Sequence, residues 1–384
     1  YYVTRNGSSI IAFCVPEAIR GFHIMASHSD SPAFKVKELP EIGVEKKYTK
    51  LNVEGYGGML MSTWFDRPLS AAGRLLVRDG GRIVSRLVNV DRDLLIIPSL
   101  AIHMNRGVND GYKFNVQKDL LPLYGDGAVS GTFMAVVAEA AGVDVQDIMG
   151  HDLFLYPRVK GSIWGKDGCY ISSSRLDDLQ CAYGTLMGFL ASEKGKEDRA
   201  AAGEYGAVYA LFDNEEIGSG TKQGADSTFL SDIIDCICDA CGRNGMQKRD
   251  ILSESFLLSA DNAHGVHPNH PEKSDPTNRP YLNGGIVLKF QGSQKYTTDA
   301  YSAAVIRDIC REQDIPCQNF ANRADVPGGS TLGNISSAHV SIPAADIGLA
   351  QLAMHSAFET AGEKDTEYLV RLCQGFFRSC SGLR

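Results

Sequence analysis

The chain has 384 residues, with 38 Lys and Arg against 46 Asp and Glu, a net charge of −8 and an isoelectric point near 5.6. That acidic balance excludes nucleic acid as the main partner, because phosphate binding wants a basic face. No apolar run approaches the roughly 20 residues of a bilayer span, so no membrane partner is expected, and with no signal-like segment the reading is cytoplasmic.

In chain order, the opening Tyr1-Tyr2-Val3-Thr4 lacks a Met and is expected to lie inside a structural element whose upstream part is not in this sequence. Asn6-Gly7 fits a hairpin turn between two strands. The apolar run 21–27 then leads into His28-Ser29-Asp30, an imidazole and a carboxylate at the mouth of a strand. Residues 41 to 164 have a different texture. Gly73-Arg74-Leu75-Leu76-Val77 and Gly81-Arg82-Ile83-Val84 are Gly-rich and β-branched, with one helical stretch near 132–141. This segment reads as a β-rich domain spliced into a first domain formed by 1–40 and 165–384.

From 165 onward, two kinds of segment alternate. Leu179, Ala182, Leu186, Met187 and Leu190 recur at helical spacing, as do Ala303, Ile306, Ile309 and Cys310; short apolar runs at 207–212, 255–260 and 286–288 lie between them. Strands alternating with amphipathic helices predict an α/β domain with a mixed, largely parallel central sheet. Such sheets collect functional groups outside the carboxyl ends of their strands. The 10 cysteines are too dilute for a disulfide framework. Cys14, Cys181, Cys310 and Cys373 sit among apolar neighbours as reduced core residues, and Cys236, Cys238 and Cys241 fall on a helical pattern that favours packing over metal binding.

The chemistry gathers at these strand ends. Residues 207–212 run straight into Asp213-Asn214-Glu215-Glu216-Ile217-Gly218, where one carboxylate of the adjacent pair can bind a cation while the other moves protons. Residues 255–260 run into Asp261-Asn262-Ala263-His264. Asp177 in Arg175-Leu176-Asp177-Asp178 and His355 in Ala353-Met354-His355-Ser356 complete a mixed imidazole and carboxylate set. Such a set suits two divalent ions, zinc first, with manganese or cobalt acceptable to the same donors. Asp30 reads equally as an acceptor that fixes the His28 tautomer and as a turn-capping residue before Pro32.

These runs, with Ser62-Thr63-Trp64-Phe65-Asp66-Arg67, Ile97-Pro98-Ser99-Leu100-Ala101-Ile102-His103, His267-Pro268-Asn269 and Gln351-Leu352-Ala353-Met354-His355-Ser356, resemble the aspartyl aminopeptidase-like M18 metalloaminopeptidases, in order and over nearly the whole chain. The resemblance implies a three-layer zinc-exopeptidase domain with an inserted dimerisation domain. It further implies that His28, Asp177 and Asp261 hold one zinc and that Asp177, Glu216 and His355 hold the other. Glu215 is then the general base acting on a metal-bridging hydroxide, with Lys289, Tyr296, His264 and a neighbouring subunit's His103 on the substrate. Dimers assembling into a tetrahedral dodecamer, and peptides with a free amine and an acidic first residue, follow from the same resemblance. The family often has Asn where this chain has Asp178 and Met where it has Asn262, so Asp178 competes with Asp177 for the bridge. Two other readings stay open: a related di-metal deacylase or carboxypeptidase, and a catalytically silent oligomeric scaffold.

Overall fold

Alternate residues of one strand face two different cores, and this sets the layers of the first unit. Phe22, Ile24 and Ala26 of the strand Gly21–His28 belong to one apolar cluster, and Met25 to another. Side chains alternate across a strand, so the sheet is covered on both sides. The helices Phe229–Ala240 and Gly245–Ser253 supply Phe229, Ile233, Ile237 and Ile251 to the first cluster. The helices Leu176–Ser192, Ala300–Glu312 and Asp365–Arg378 supply Phe189, Ile306 and Phe376 to the second. The result is a three-layer α/β domain. It comprises residues 1–31, 162–354 and 359–384 in the computed structural model, which describes residues 1–192 and 204–379. The remaining stretches, which the 165–384 segment of the sequence reading includes, lie outside the described residues.

Among the described residues its sheet has 12 strands. At the centre Tyr205–Phe212, Gly21–His28, Phe256–Ala260 and Ala344–Leu352 run parallel side by side, with Phe212 opposite His28 and Ala260 opposite Ile347. Their near-complete burial is what a sheet covered on both faces demands. Antiparallel strands finish both edges, including the hairpin of Tyr2–Arg5 and Ser9–Cys14, whose turn holds Asn6 and Gly7 at φ 59° and 67°. No helix among the described residues is long and apolar enough to cross a membrane.

The helix Leu176–Ser192 forms as its apolar spacing predicts, but that spacing marks only part of its buried face: Ala182 is buried and Leu186 packs against the core. Leu179 and Leu190 are exposed, at 41% and 44%. Gly184 and Gly188 face the helix Asp365–Arg378 instead, where an added Cβ would lie 2.7 Å from Leu369 Cδ2 and 2.2 Å from Cys373 Cβ. Close helix approach there rests on small residues, which carry no hydrophobic signal. Cys181, Cys310 and Cys373 are buried and Cys14 half-buried, whereas Cys236 is exposed and Cys238 packs in the core from the helix Phe229–Ala240.

The second unit comprises residues 32–161 and 355–358. Six antiparallel strands pair in the order Arg82–Asn89, Leu69–Asp79, Ile148–Pro157, Ala33–Val44, Tyr48–Tyr56, Leu123–Asp126. Phe34, Val53, Leu75 and Leu153 form its core with Phe133 and Val137 of the helix Phe133–Ala141. The divisions fall at 31/32 and 161/162 rather than at 40/41 and 164/165. The strand Ala33–Val44 pairs from Ala33 with Tyr56 to Val44 with Tyr48, which places all of it in the second unit. Ser162–Trp164 pairs with Tyr170–Ser173 in the first.

Candidate metal centre

Parallel strands that share a register end together, and the ends of the central strands bring their polar residues to one edge. His28 closes its strand and is buried; Asp261 follows Ala260 directly and is also buried. Asp177 and Asp178 open the helix Leu176–Ser192 with non-helical backbone angles, so their side chains leave a turn rather than a helix face. Beyond Phe212, Asn214 adopts a left-handed φ of 65° and throws the chain into a single helical turn, Glu215–Ile217, that carries both glutamates.

Donor atoms of His28, Asp177, Asp178 and Asp261 lie within 4.8 Å of one another, as do those of His28, Glu215 and Glu216. His28 Nδ1 is 3.1 Å from the Asp30 carbonyl oxygen and 3.3 Å from Asp30 Oδ1, while Nε2 faces Asp177 Oδ1 at 3.6 Å. With its proton held at Nδ1, the imidazole presents Nε2 to the acids, the tautomer a metal ligand needs. Asp30 does more than orient the ring. Its two carboxylate oxygens accept the Glu215 and Glu216 backbone N–H groups, each at 3.1 Å, so one buried side chain positions three candidate residues. Asp178 Oδ2 accepts the His28 backbone N–H at 3.1 Å, which braces the strand end.

So many acids in one buried place resist ionisation. Burial pushes Asp178 well up, with Asp261 and Asp177 adding to the effect. Burial raises Asp261 against the opposing charge of Lys289. Glu215 rises to about 7, through burial first and then the charge of Asp261. Burial alone would depress the His28 imidazole, but the Asp178 charge, with Asp177 and Asp30, carries it well above its ordinary value. Carboxylates with one imidazole are hard and borderline donors that suit a divalent cation.

The other sequence-marked residues lie on further segments. Lys289, on the strand Ile286–Phe290, is 3% exposed, with Nζ 3.6 Å from Asp261 Oδ2 and 5.6 Å from the Tyr296 ring centroid. Phe320 links Tyr296 to His264, at centroid distances of 6.3 and 6.1 Å. His264 is exposed on a short strand paired with Gln351. His355 groups with the second unit, where its carbonyl oxygen accepts the Leu60 N–H at 3.0 Å, and His103 is exposed in the same unit. Sequence reading missed Glu359, a buried acid whose Oε2 accepts the Asp177 N–H at 2.9 Å. It lies in a short strand, Glu359–Gly362, with no motif around it.

A three-layer α/β domain that buries an imidazole and carboxylates at the carboxyl edge of its parallel strands, with a spare acid beside them, has the build of a metallohydrolase. Residues 1–377 match the family model of the aminopeptidase I zinc metalloproteases (M18). A probable M18 family aminopeptidase 2 of Clostridium acetobutylicum is 45% identical over 98% of this chain and 87% of its own length. Among solved structures, that of the Ape4 and Nbr1 complex superposes with a TM-score of 0.94 at 34% identity, covering 98% of this chain and 76% of that one. The mApe1 dodecamer of S. cerevisiae does so with a TM-score of 0.83 at 28% identity, covering 98% and 84%. The chain belongs to the M18 family and is a metal-dependent aminopeptidase.

Asp30→Asn keeps one side-chain oxygen for two backbone donors and loses the charge beside His28 Nδ1. Outer groups of this kind are typically worth about 10–100-fold in metal affinity, and a loss in that range is expected when the variant competes with a chromophoric chelator for zinc. Zinc affinity equal to the parent's would mean that the glutamate turn holds itself.

Proposed function

We propose a cytoplasmic di-zinc aminopeptidase that removes acidic first residues from peptides with a free amine. In this reading His28, Asp177 and Asp261 hold one ion, and Asp177, Glu216 and His355 hold the other. His355 follows the strand Ala344–Leu352 by three residues, a short tether from the edge that carries the other ligands. Asp177 is preferred to Asp178 as the bridge because Asp178 already accepts the His28 N–H. Bound there, the ions would polarise the scissile carbonyl and make water a nucleophile at neutral pH.

The observation that carries the reading is Glu215. It shares the His28 and Glu216 donor group, yet its carboxyl is lifted to about 7 by burial and by Asp261, in the range where an acid both accepts and returns a proton. Glu215 takes a proton from the attacking water and passes it to the leaving amine. The backbone N–H bond to Asp30 keeps the glutamate turn fixed while that proton moves. Glu215→Gln is expected to retain metal but lose at least ~100-fold in turnover. Metal content and turnover on a free-amine peptide are measured together, with the N-acetylated twin as the substrate an aminopeptidase ignores. Full turnover with metal in place would remove Glu215 from the role, and cleavage of the acetylated twin would turn the reading toward a deacylase.

Lys289 is the cation assigned to the substrate's acidic side chain, with Tyr296 and His264 beside it. A charged hydrogen bond in a desolvated pocket is worth about 1.5–3 kcal/mol, so Lys289→Met is expected to narrow the ratio of Glu to Leu reporter turnover by ~10-fold or more. Because Lys289 also faces Asp261, zinc content is measured alongside. An unchanged ratio would move the pocket elsewhere.

Homo-oligomeric assembly, from dimers to a tetrahedral dodecamer, belongs to the same reading and is supported by the dodecamer of the S. cerevisiae relative. His103 would then act in a neighbour's site. Mixed oligomers of Glu215→Gln and His103→Ala chains are expected to exceed the activity of either parent. Activity equal to the sum of the parents, in oligomers shown to be mixed, would confine His103 to its own chain.

A further inference from the structure

Between the strand that ends at Asp261 and the turn that carries Asp177 lies a polar network that the proposed chemistry does not use. Asn262 is 2% exposed and follows Asp261 directly. Its Nδ2 faces the Leu176 carbonyl oxygen at 3.1 Å, Gln180 Oε1 at 3.3 Å and Gln351 Oε1 at 2.7 Å. Its Oδ1 accepts the Cys181 thiol at 3.0 Å. Gln180 in turn donates from Nε2 to Thr366 Oγ1 at 3.0 Å, which extends the network to the helix Asp365–Arg378.

Each contact leads to a segment that bears a candidate ligand. Leu176 precedes Asp177, Gln180 and Cys181 form the next turn of the same helix, and Gln351 lies on the strand beside the one that ends at Asp261. The Asn262 amide has only two hydrogens for three acceptors. Gln351 Nε2 has no hydrogen-bond partner among the described residues. Buried amides that unmet are costly as packing material, so stability alone is a poor reason for this cluster.

We propose that Asn262 is a positioning residue that sets the distance between Asp177 and Asp261 by tying the Leu176 carbonyl to the Asp261 turn, and so sets the metal affinity of the site. The inference rests on the reading that Asp177 and Asp261 bind metal. An apolar residue at 262 fills the same space but removes the bond between the Asp261 turn and the Leu176 carbonyl, leaving the Asp177 turn held from Glu359 and Ser31 alone among these contacts.

The test uses the full chain with Asn262→Leu, the double variant Asn262→Leu/Gln351→Leu, and Gln351→Leu as control. Thermal midpoint, zinc affinity by chelator competition, kcat and KM are read for each. Both Asn262 variants are expected to bind zinc about 10–100-fold more weakly, with kcat reduced and KM within about 2-fold at saturating zinc. The double variant should regain thermal stability without regaining zinc affinity, because it removes the orphaned amide but not the need for the tether. Gln351→Leu should bind zinc as the parent does. The proposal is overturned if zinc affinity stays near the parent's in either folded Asn262 variant, if it returns with stability in the double variant, if Gln351→Leu weakens zinc equally, or if neither Asn262 variant folds. A parent that binds no zinc would sink the underlying metal reading instead.

Discussion

The carboxylate of Asp30 is the point on which the site's geometry turns. It bonds to the backbone N–H groups of Glu215 and Glu216 and lies beside His28 Nδ1. Two strand ends that the chain separates by nearly two hundred residues are thereby locked to one another. The parallel pairing of Gly21–His28 with Tyr205–Phe212 brings them adjacent, and Asp30 then fixes their orientation. A hydrogen-bonded buried carboxylate is rigid in a way a solvated one is not, because leaving its donors unmet costs more than the bonds contribute.

Electrostatics explains why such a cluster must have a partner. At an effective dielectric constant of about 20, two like charges 4 Å apart repel by about 4 kcal/mol. Asp177, Asp178 and Asp261 are buried in one group, and protonation, the nearby Lys289 and a bound cation are the available remedies. Burial and the neighbouring acids raise the Asp178 and Asp261 carboxyls, the direction that favours the first remedy. A divalent ion acts in the opposite direction and favours the ionised forms. The fold thus carries a charge arrangement that is costly by itself and matched to a cation, as strained functional sites commonly are.

What could be read in the sequence followed from regular periods. Residues 207–212 and 255–260 are apolar runs that end in acids, so the strands and the carboxylates at their mouths were both visible. Asn6-Gly7 announced its hairpin by turn chemistry alone. Hydrophobic spacing marks Ala182 and Leu186 of Leu176–Ser192 but does not register Gly184 and Gly188, which face Leu369 and Cys373. The division near residue 40 was set too late because the strand Ala33–Val44 includes Pro40 and a register shift between Val36 and Glu41, which mask its continuity. Glu359 and the bracing role of Asp178 were not visible, since each acts on a backbone N–H far away in the chain.

The roles of neighbouring acids are separated here by which donors each meets. Asp177 and Asp178 are adjacent, equally acidic and both buried, and nothing in composition distinguishes them. In the fold, Asp178 accepts a backbone donor from His28, while the Asp177 carboxylate faces the imidazole Nε2 and its backbone N–H is held by Glu359. Glu215 and Glu216 are likewise adjacent and both half-buried, and Asp30 anchors both through their backbone N–H groups. In the proposed reading, ligand, brace and proton carrier are told apart by backbone hydrogen bonds made at a distance, not by the identity of the side chains. That is why a motif can name the acids of this site while only the fold can divide the work among them.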